Sequence, residues 1–272
     1  MPKVRLAMAQ TNPIVGDISG NLSQTIETID AALIAGANLV VFGEMNLAGY
    51  PIEDLAARSS FVAAAEKAVV QLADHLSNPM YKGLAVVVGH PATAHRSNGW
   101  SIAHNAASVI IDGNIVGQYA KHHLPNYSVF DEYRIFVPGN DLLSFDFMGL
   151  KFSTLICEDI WQSGGPVAQL ATSNTDVVLV LNGSPFEIDK DDKRQKLVRD
   201  LATANHAAVA YVNLVGGQDD LVEADIREVA KAAHAGGAHL KVILETSLLT
   251  AEQIVRGCEL AEKAGADFVK TS

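Results

Sequence analysis

Short apolar runs along the chain alternate with longer segments whose apolar residues recur at helical spacing. Residues 4–9 alternate apolar and polar, the period of a half-buried strand. Leu22, Ile26, Ile29 and Leu33 fall on one helical face, and Gly36 supplies a stop. Residues 39–42 are apolar throughout, as in a strand buried on both faces. Residues 59–76 predict a second long helix and 85–89 a further strand. Runs 108–111 and 115–119 flank Asp112-Gly113-Asn114, a hairpin turn, and runs 142–147 and 151–156 flank Met148-Gly149 in the same way. A short helix near 166–171, a strand at 177–181, a helix from about 193 to 206 and a strand at 208–214 follow. Hairpins mixed with helices predict two sheets covered by helices, not a strictly alternating βα fold.

The texture changes near residue 222. Residues 223–235 read as a helix ended by Gly236-Gly237, 240–244 as a strand, and 267–271 as a final strand. Between those strands, Thr250 caps a helix over 251–264 that Gly265 closes. A helix followed by a βαβ unit has the period of an α/β barrel. The expected domains are therefore 1–222 and 223–272.

Composition narrows the function. Of 272 residues, 49% are apolar and 19% charged, which excludes a disordered chain. Acidic residues outnumber basic ones by 31 to 20, a net charge of −11 that repels phosphate backbones and anionic lipid. Neither nucleic acid nor membrane is expected as a partner. No apolar run approaches the roughly 18 residues that span a bilayer, and residues 1–13 do not read as a signal peptide. Two cysteines, Cys157 and Cys258, make no disulfide framework, so a cytoplasmic chain with reduced thiols is expected.

Three reactive side chains follow apolar runs directly: Glu44 after LVVFG, Lys121 after IVGQYA and Cys157 after FSTLI. Side chains at the carboxyl ends of strands commonly converge on one pocket. A carboxylate, an ammonium and a thiol make a self-consistent amidase set: base, oxyanion partner and nucleophile. Against this, a lone cysteine in an apolar strand is more often inert filler, and an isolated Glu or Lys at a strand end is usually solvated. His122-His123 is not expected to hold a metal, because neighbours in an extended segment point to opposite faces. Ser163-Gly164-Gly165 reads as a plain turn, because Pro166 breaks the phosphate-loop pattern. Neither GxxxxGK[ST] nor GxGxxG occurs.

The surrounding residues decide between these readings. FGEMNLAGYPIEDL around Glu44, KHHLPNYSVFDEYRIF from Lys121, LICEDIW around Cys157 and LNGSPF at 181–186 occur in that order. Over residues 1 to about 222 the chain resembles the nitrilase, or carbon–nitrogen hydrolase, superfamily, and within it the glutaminase domain of glutamine-dependent NAD synthetases. The resemblance implies an αββα sandwich. It also implies Glu44 as general base, Lys121 as oxyanion stabiliser and Cys157 as nucleophile of a thioester mechanism that releases ammonia and glutamate from L-glutamine. Tyr127, Glu158 and Ser184 match family positions that contact glutamine, and Glu132 matches a further acid near the triad. Arg194 matches a partner for the substrate α-carboxylate, and Ser128 stands where the family often has Gly. No cofactor is implied. The resembled hydrolases pack their sandwiches face to face, which implies a second copy of the chain as a partner. The synthetase partner domain is expected to be absent, so that the chain alone does not form NAD.

The stretch DIREVAKAAHAGGAHLKVILETSLLTAEQIVRGCELAEKAGADFVKTS resembles part of deoxyribose-phosphate aldolase, a TIM-barrel enzyme. This implies a chimera joined near Val222, in which a truncated sandwich is completed by a helix-βαβ fragment docked on it. Lys270 matches the aldolase Schiff-base lysine and is expected to be vestigial, because the fragment supplies two strands where a barrel needs eight. Two other readings stand beside the glutaminase: a catalytically impaired chimeric scaffold, and a class I aldolase acting through Lys270.

Overall fold

The computed structural model describes residues 3–95, 101–127, 130–184, 190–215, 219–244 and 251–270. The chain divides into two compact units, Met1–Val215 and Gly216–Ser272.

The first unit holds two sheets. One has the order β1 (Leu6–Ala9), β2 (Leu39–Phe42), β3 (Ala85–His95), β4 (Ser101–Ile111), β5 (Asn114–Ala120). Its first three strands are parallel, and β3, β4 and β5 then pair antiparallel. The other runs β6 (Leu143–Phe147), β7 (Leu150–Ile156), β8 (Val177–Asn182), β9 (Ala208–Asn213), with β6–β7 antiparallel and β7–β8–β9 parallel. Its longer helices among the described residues are α1 (Ile18–Ile34), α2 (Ser59–Leu76), α4 (Gly165–Ser173) and α5 (Lys190–Asn205). The short α3 spans Glu132–Ile135.

The unbroken apolar run of β2 has a simple cause, since its residues serve two cores in turn. Leu39 and Val41 pack with Val87, Val109, Phe152, Leu155, Val178 and Val180, which glues the sheets face to face. Val40 and Phe42 pack on the opposite side with Ile29 of α1 and Leu72 of α2. Leu170 of α4 and Leu201 of α5 join the strands of the second sheet. The result is the four-layer αββα sandwich expected.

Both hairpins close through residue pairs with positive φ, Asp112 (49°) with Gly113 (75°) and Met148 (49°) with Gly149 (77°). Two successive residues of that kind make the turn whose twist matches antiparallel strands. Helix α1 starts at Ile18, ahead of Leu22, because the Asp17 carboxylate accepts the Gly20 amide at 2.9 Å. The predicted strand at 85–89 reaches His95. β2 pairs with β3 only up to Val87, so Pro91 lies where that edge needs no amide donor.

The second unit contains α6 (Asp219–Ala235), β10 (Lys241–Ile243), α7 (Ala251–Lys263) and β11 (Phe268–Lys270), with β10 and β11 parallel. Its helix begins earlier than the sequence pattern predicts, so the change of texture at 222 falls inside α6. The Asp267 carboxylate accepts the Leu240 amide (2.8 Å) and pairs with His234 (2.8 Å) and His239 (3.0 Å). These contacts, led by His234, hold its carboxyl well below the usual range. The Thr250 cap lies outside the described residues. Among the described residues no helix is long and apolar enough to cross a membrane.

Candidate active site

Glu44, Lys121 and Cys157 each sit just past the end of a strand, and all three are buried. The turn after β2 lies tight against β3: a Cβ built on Gly89 would stand 2.5 Å from the Gly43 carbonyl oxygen and 2.6 Å from the Met45 nitrogen. Lys121 is the residue after β5, and its amide donates to the Asn105 carbonyl at 2.8 Å. Cys157 opens a tight 3₁₀ turn, Cys157–Ile160, directly after β7. Its φ of 43° is uncommon for a residue with a side chain and marks a sharp reversal that the surroundings must enforce.

The side chains converge on one ammonium. Lys121 Nζ lies 2.7 Å from Glu44 Oε1 and 2.8 Å from Glu132 Oε2. Asn105 Nδ2 donates to Glu44 Oε1 at 2.7 Å, and the Gly183 amide donates to Glu44 Oε2 at 2.8 Å. The Tyr50 hydroxyl donates to Glu132 Oε1 at 2.9 Å. Glu44 is therefore held by both sheets, because Asn105 and Lys121 belong to the first and Gly183 follows β8 of the second.

The charges follow from this packing. Burial alone would lower the Lys121 pKa, but the Glu132 and Glu44 carboxylates outweigh it and hold the ammonium charged. Burial pushes the Cys157 thiol well up, Glu44 adds to the rise, and Lys121 opposes both. The resting sulfur is thus a neutral thiol beside a carboxylate. Burial raises the Glu132 carboxyl to about 7, against the pull of Lys121 and with the help of Glu44.

That shift has a definite sign. An unfolded glutamate releases its proton near about 4.3, whereas folded Glu132 keeps it to about 7. The contribution to stability is full below the unfolded value and is lost as pH rises through the folded one. Glu132→Gln is expected to flatten the fall in urea midpoint between pH 5 and pH 8. Identical pH slopes for the two proteins would contradict this assignment.

A second set of polar groups lies beside the first. The half-exposed Tyr127 donates its hydroxyl to Glu158 Oε2 at 2.8 Å, and Gln162 Nε2 donates to Glu158 Oε1 at 2.9 Å. Arg194 on α5 donates to Ser184 Oγ at 3.1 Å, and Asn213 fixes Ser184 by accepting its amide at 2.9 Å. A carboxylate on one side and a guanidinium on the other can receive the two charges of an α-amino acid. Tyr211 stands close enough to Cys157 and Arg194 for both to act on its hydroxyl.

His122 and His123 do not splay to opposite faces as expected. Their rings meet edge-on with centroids 4.6 Å apart, because past β5 both backbone amides turn toward the Asp159 carboxylate. His122 Nδ1 contacts the Gly139 carbonyl, and His123 Nδ1 lies 3.6 Å from Asp159. Among the described residues no group of three or more His, Cys, Asp or Glu is arranged to hold a metal ion. Lys270 ends β11 in the second unit, exposed to solvent, and Ser128 lies outside the described residues.

Sequence reasoning missed Asn105, Tyr50, Asp159, Gln162 and Asn213. Tyr50 and Asp159 stand inside the quoted blocks around Glu44 and Cys157, and Gln162 follows directly after LICEDIW. Asn105 carries no local signal, because it reads as one polar position among many in β4.

Residues 5–247 match the carbon–nitrogen hydrolase family. The chain is 40% identical over 222 residues to the glutamine-dependent NAD(+) synthetase of Acinetobacter baylyi, a match covering 82% of this chain and 39% of the relative. The synthetase of the same description from Thermotoga maritima is 40% identical over 223 residues, covering 82% and 37%. The chain thus spans about two-fifths of the length of these relatives. Among solved structures, glutamine-dependent NAD+ synthetase from Acinetobacter baumannii in complex with ADP aligns with a TM-score of 0.71 at 40% identity, over 80% of this chain and 39% of that one. An amidase from Nesterenkonia sp. aligns at 0.67 and 22% identity, over 79% and 78%, a likeness that speaks for the fold alone.

Proposed function

This chain belongs to the carbon–nitrogen hydrolase family, and we propose that it is a glutamine amidohydrolase working through a thioester on Cys157. Glu44 takes the thiol proton as the sulfur attacks the side-chain amide carbon. The carbonyl oxygen becomes an oxyanion, and the buried Lys121 ammonium stabilises it. Glu44 then passes its proton to the departing nitrogen, and ammonia leaves a γ-glutamyl thioester. Glu44 next removes a proton from water, whose oxygen attacks the thioester carbon. Glutamate leaves, and the proton returns to the sulfur.

The observation that carries this reading is the buried ammonium of Lys121, 2.7 Å from Glu44 and 2.8 Å from Glu132, beside a thiol on a strained turn. An acid, an amine and a thiol from separate chain segments have no structural need to be buried together. Tyr127, Glu158 and Gln162 suit the substrate α-ammonium, and Ser184 with Arg194 suits its α-carboxylate. Likeness to glutamine-dependent synthetases supports glutamine over other amides.

The test is ammonia release from L-glutamine, L-asparagine and acetamide under identical conditions. Glutamine is expected to exceed asparagine in kcat/KM by at least about 10-fold, since one methylene in a fitted pocket is worth roughly 10- to 200-fold. Equal rates on all three amides would remove glutamine as the substrate.

For residues 223–272 the reading as an aldolase-like fragment joined to a glutaminase domain remains our proposal, with Lys270 vestigial. A Schiff-base lysine needs desolvation or a neighbouring cation to lower its pKa. Lys270 lies exposed at the end of a two-stranded sheet.

A further inference from the structure

Asp159 is fully buried, two residues beyond Cys157, and the amide hydrolysis proposed above gives it no step. Its carboxylate accepts four hydrogen bonds. Oδ2 takes the Ile156 amide at 3.0 Å and the Tyr119 hydroxyl at 2.7 Å. Oδ1 takes the His122 amide at 3.1 Å and the His123 amide at 2.8 Å. Ile156 immediately precedes the nucleophile, and His122 immediately follows the ammonium. One side chain thus grips the chain next to Cys157 and the chain next to Lys121, which come from different sheets.

We infer that Asp159 is a positioning residue that fixes the separation of the Cys157 thiol and the Lys121 ammonium during amide hydrolysis. It touches neither substrate nor reacting atom and acts through the two backbone segments it joins. The strained φ of Cys157 adds weight: a turn held at 43° relaxes when its anchor is removed. An amide in place of the carboxylate cannot reproduce the anchor. If the side-chain oxygen in Asp159→Asn accepts the two histidine amides, the new NH₂ faces the Ile156 N–H, donor against donor.

This inference rests on the glutaminase reading, and its test keeps the two apart. Wild type, Asp159→Asn and Tyr119→Phe are compared in the full chain for glutamine turnover and for alkylation of Cys157 by a diazo-ketone glutamine analogue and by iodoacetamide. Asp159→Asn is expected to lower kcat about 100-fold, the scale of an ångström-sized misplacement, with KM within about 3-fold. Diazo-ketone labelling is expected to be slower but still one per chain. Tyr119→Phe removes one donor of four and is expected to lower kcat about 5-fold, which keeps the inference testable if Asp159→Asn does not fold. Unchanged kcat in either folded variant overturns it. In Tyr119→Phe, a labelled fraction that falls in step with activity also overturns it, because that reports unfolding and not misplacement. If wild type neither turns over glutamine nor reacts with the diazo-ketone, the substrate reading fails. Asp159 is then judged by iodoacetamide: slower alkylation in folded Asp159→Asn supports it, and equal alkylation overturns it.

Discussion

Cys157→Ala is expected to lower ammonia release from glutamine by at least about 10⁴-fold. Losses of that size follow when a nucleophile is removed from a preorganised site, and the residual rate reflects binding and charge stabilisation alone. The effect is large because the sulfur makes the bond that divides one difficult displacement into two easier ones. The fold should survive. Alanine fills less space than cysteine but keeps a β-carbon, so the strain at φ 43° is carried over unchanged. Parallel urea titrations should place the midpoints close together while coupled-enzyme detection of ammonia records the loss. A folded Cys157→Ala protein that retains turnover would remove the thioester mechanism altogether.

Lys121→Met is expected to damage both activity and folding. The ammonium is fully buried between Glu44 and Glu132, and methionine fills its volume without its charge. Removing one member of a buried ion pair costs about 3–5 kcal/mol, because the remaining charges stay out of water without a partner. For a chain of this size that corresponds to a drop in Tm on the order of 10 °C. Here two carboxylates are stranded by one substitution. Both recover by binding protons, so the deficit should shrink on going from pH 8 to pH 5. Loss of packing alone would leave the deficit the same at both pH values, since packing has no proton dependence. Thermal melts of both proteins at the two pH values decide between them. Turnover should fall by about 10² to 10³, the usual result of deleting an oxyanion partner.

Much of the scaffold was legible in local patterns because its causes are local. The two hairpins follow from Asp112-Gly113 and Met148-Gly149, residue pairs that adopt positive φ, and α2 follows from an apolar face of unbroken period. Glu44, Lys121 and Cys157 could be singled out because each interrupts an apolar run at its carboxyl end. What could not be read is whatever depends on pairing between distant segments. Asn105 reaches Glu44 only because β4 and β5 pair in a register that sets the Asn105 carbonyl against the Lys121 amide. The contact between His122 and His123 arises because Asp159, more than thirty residues away, bends the chain after β5. The start of α6 at Asp219 was hidden because acidic residues at a helix entrance look like a polar linker.

The grip on Glu44 from both layers has a wider consequence. Its carboxylate is hydrogen-bonded to groups following strands of opposite sheets. A slide of one layer over the other, even by a fraction of a strand spacing, would pull the proton carrier away from one of its holders. Catalytic competence in this scaffold is consequently a readout of how firmly the middle of the sandwich is stacked. Residues such as Val41, Val109, Leu155 and Val180, which carry no reacting atom, therefore belong to the tuning of the chemistry as much as to the survival of the fold.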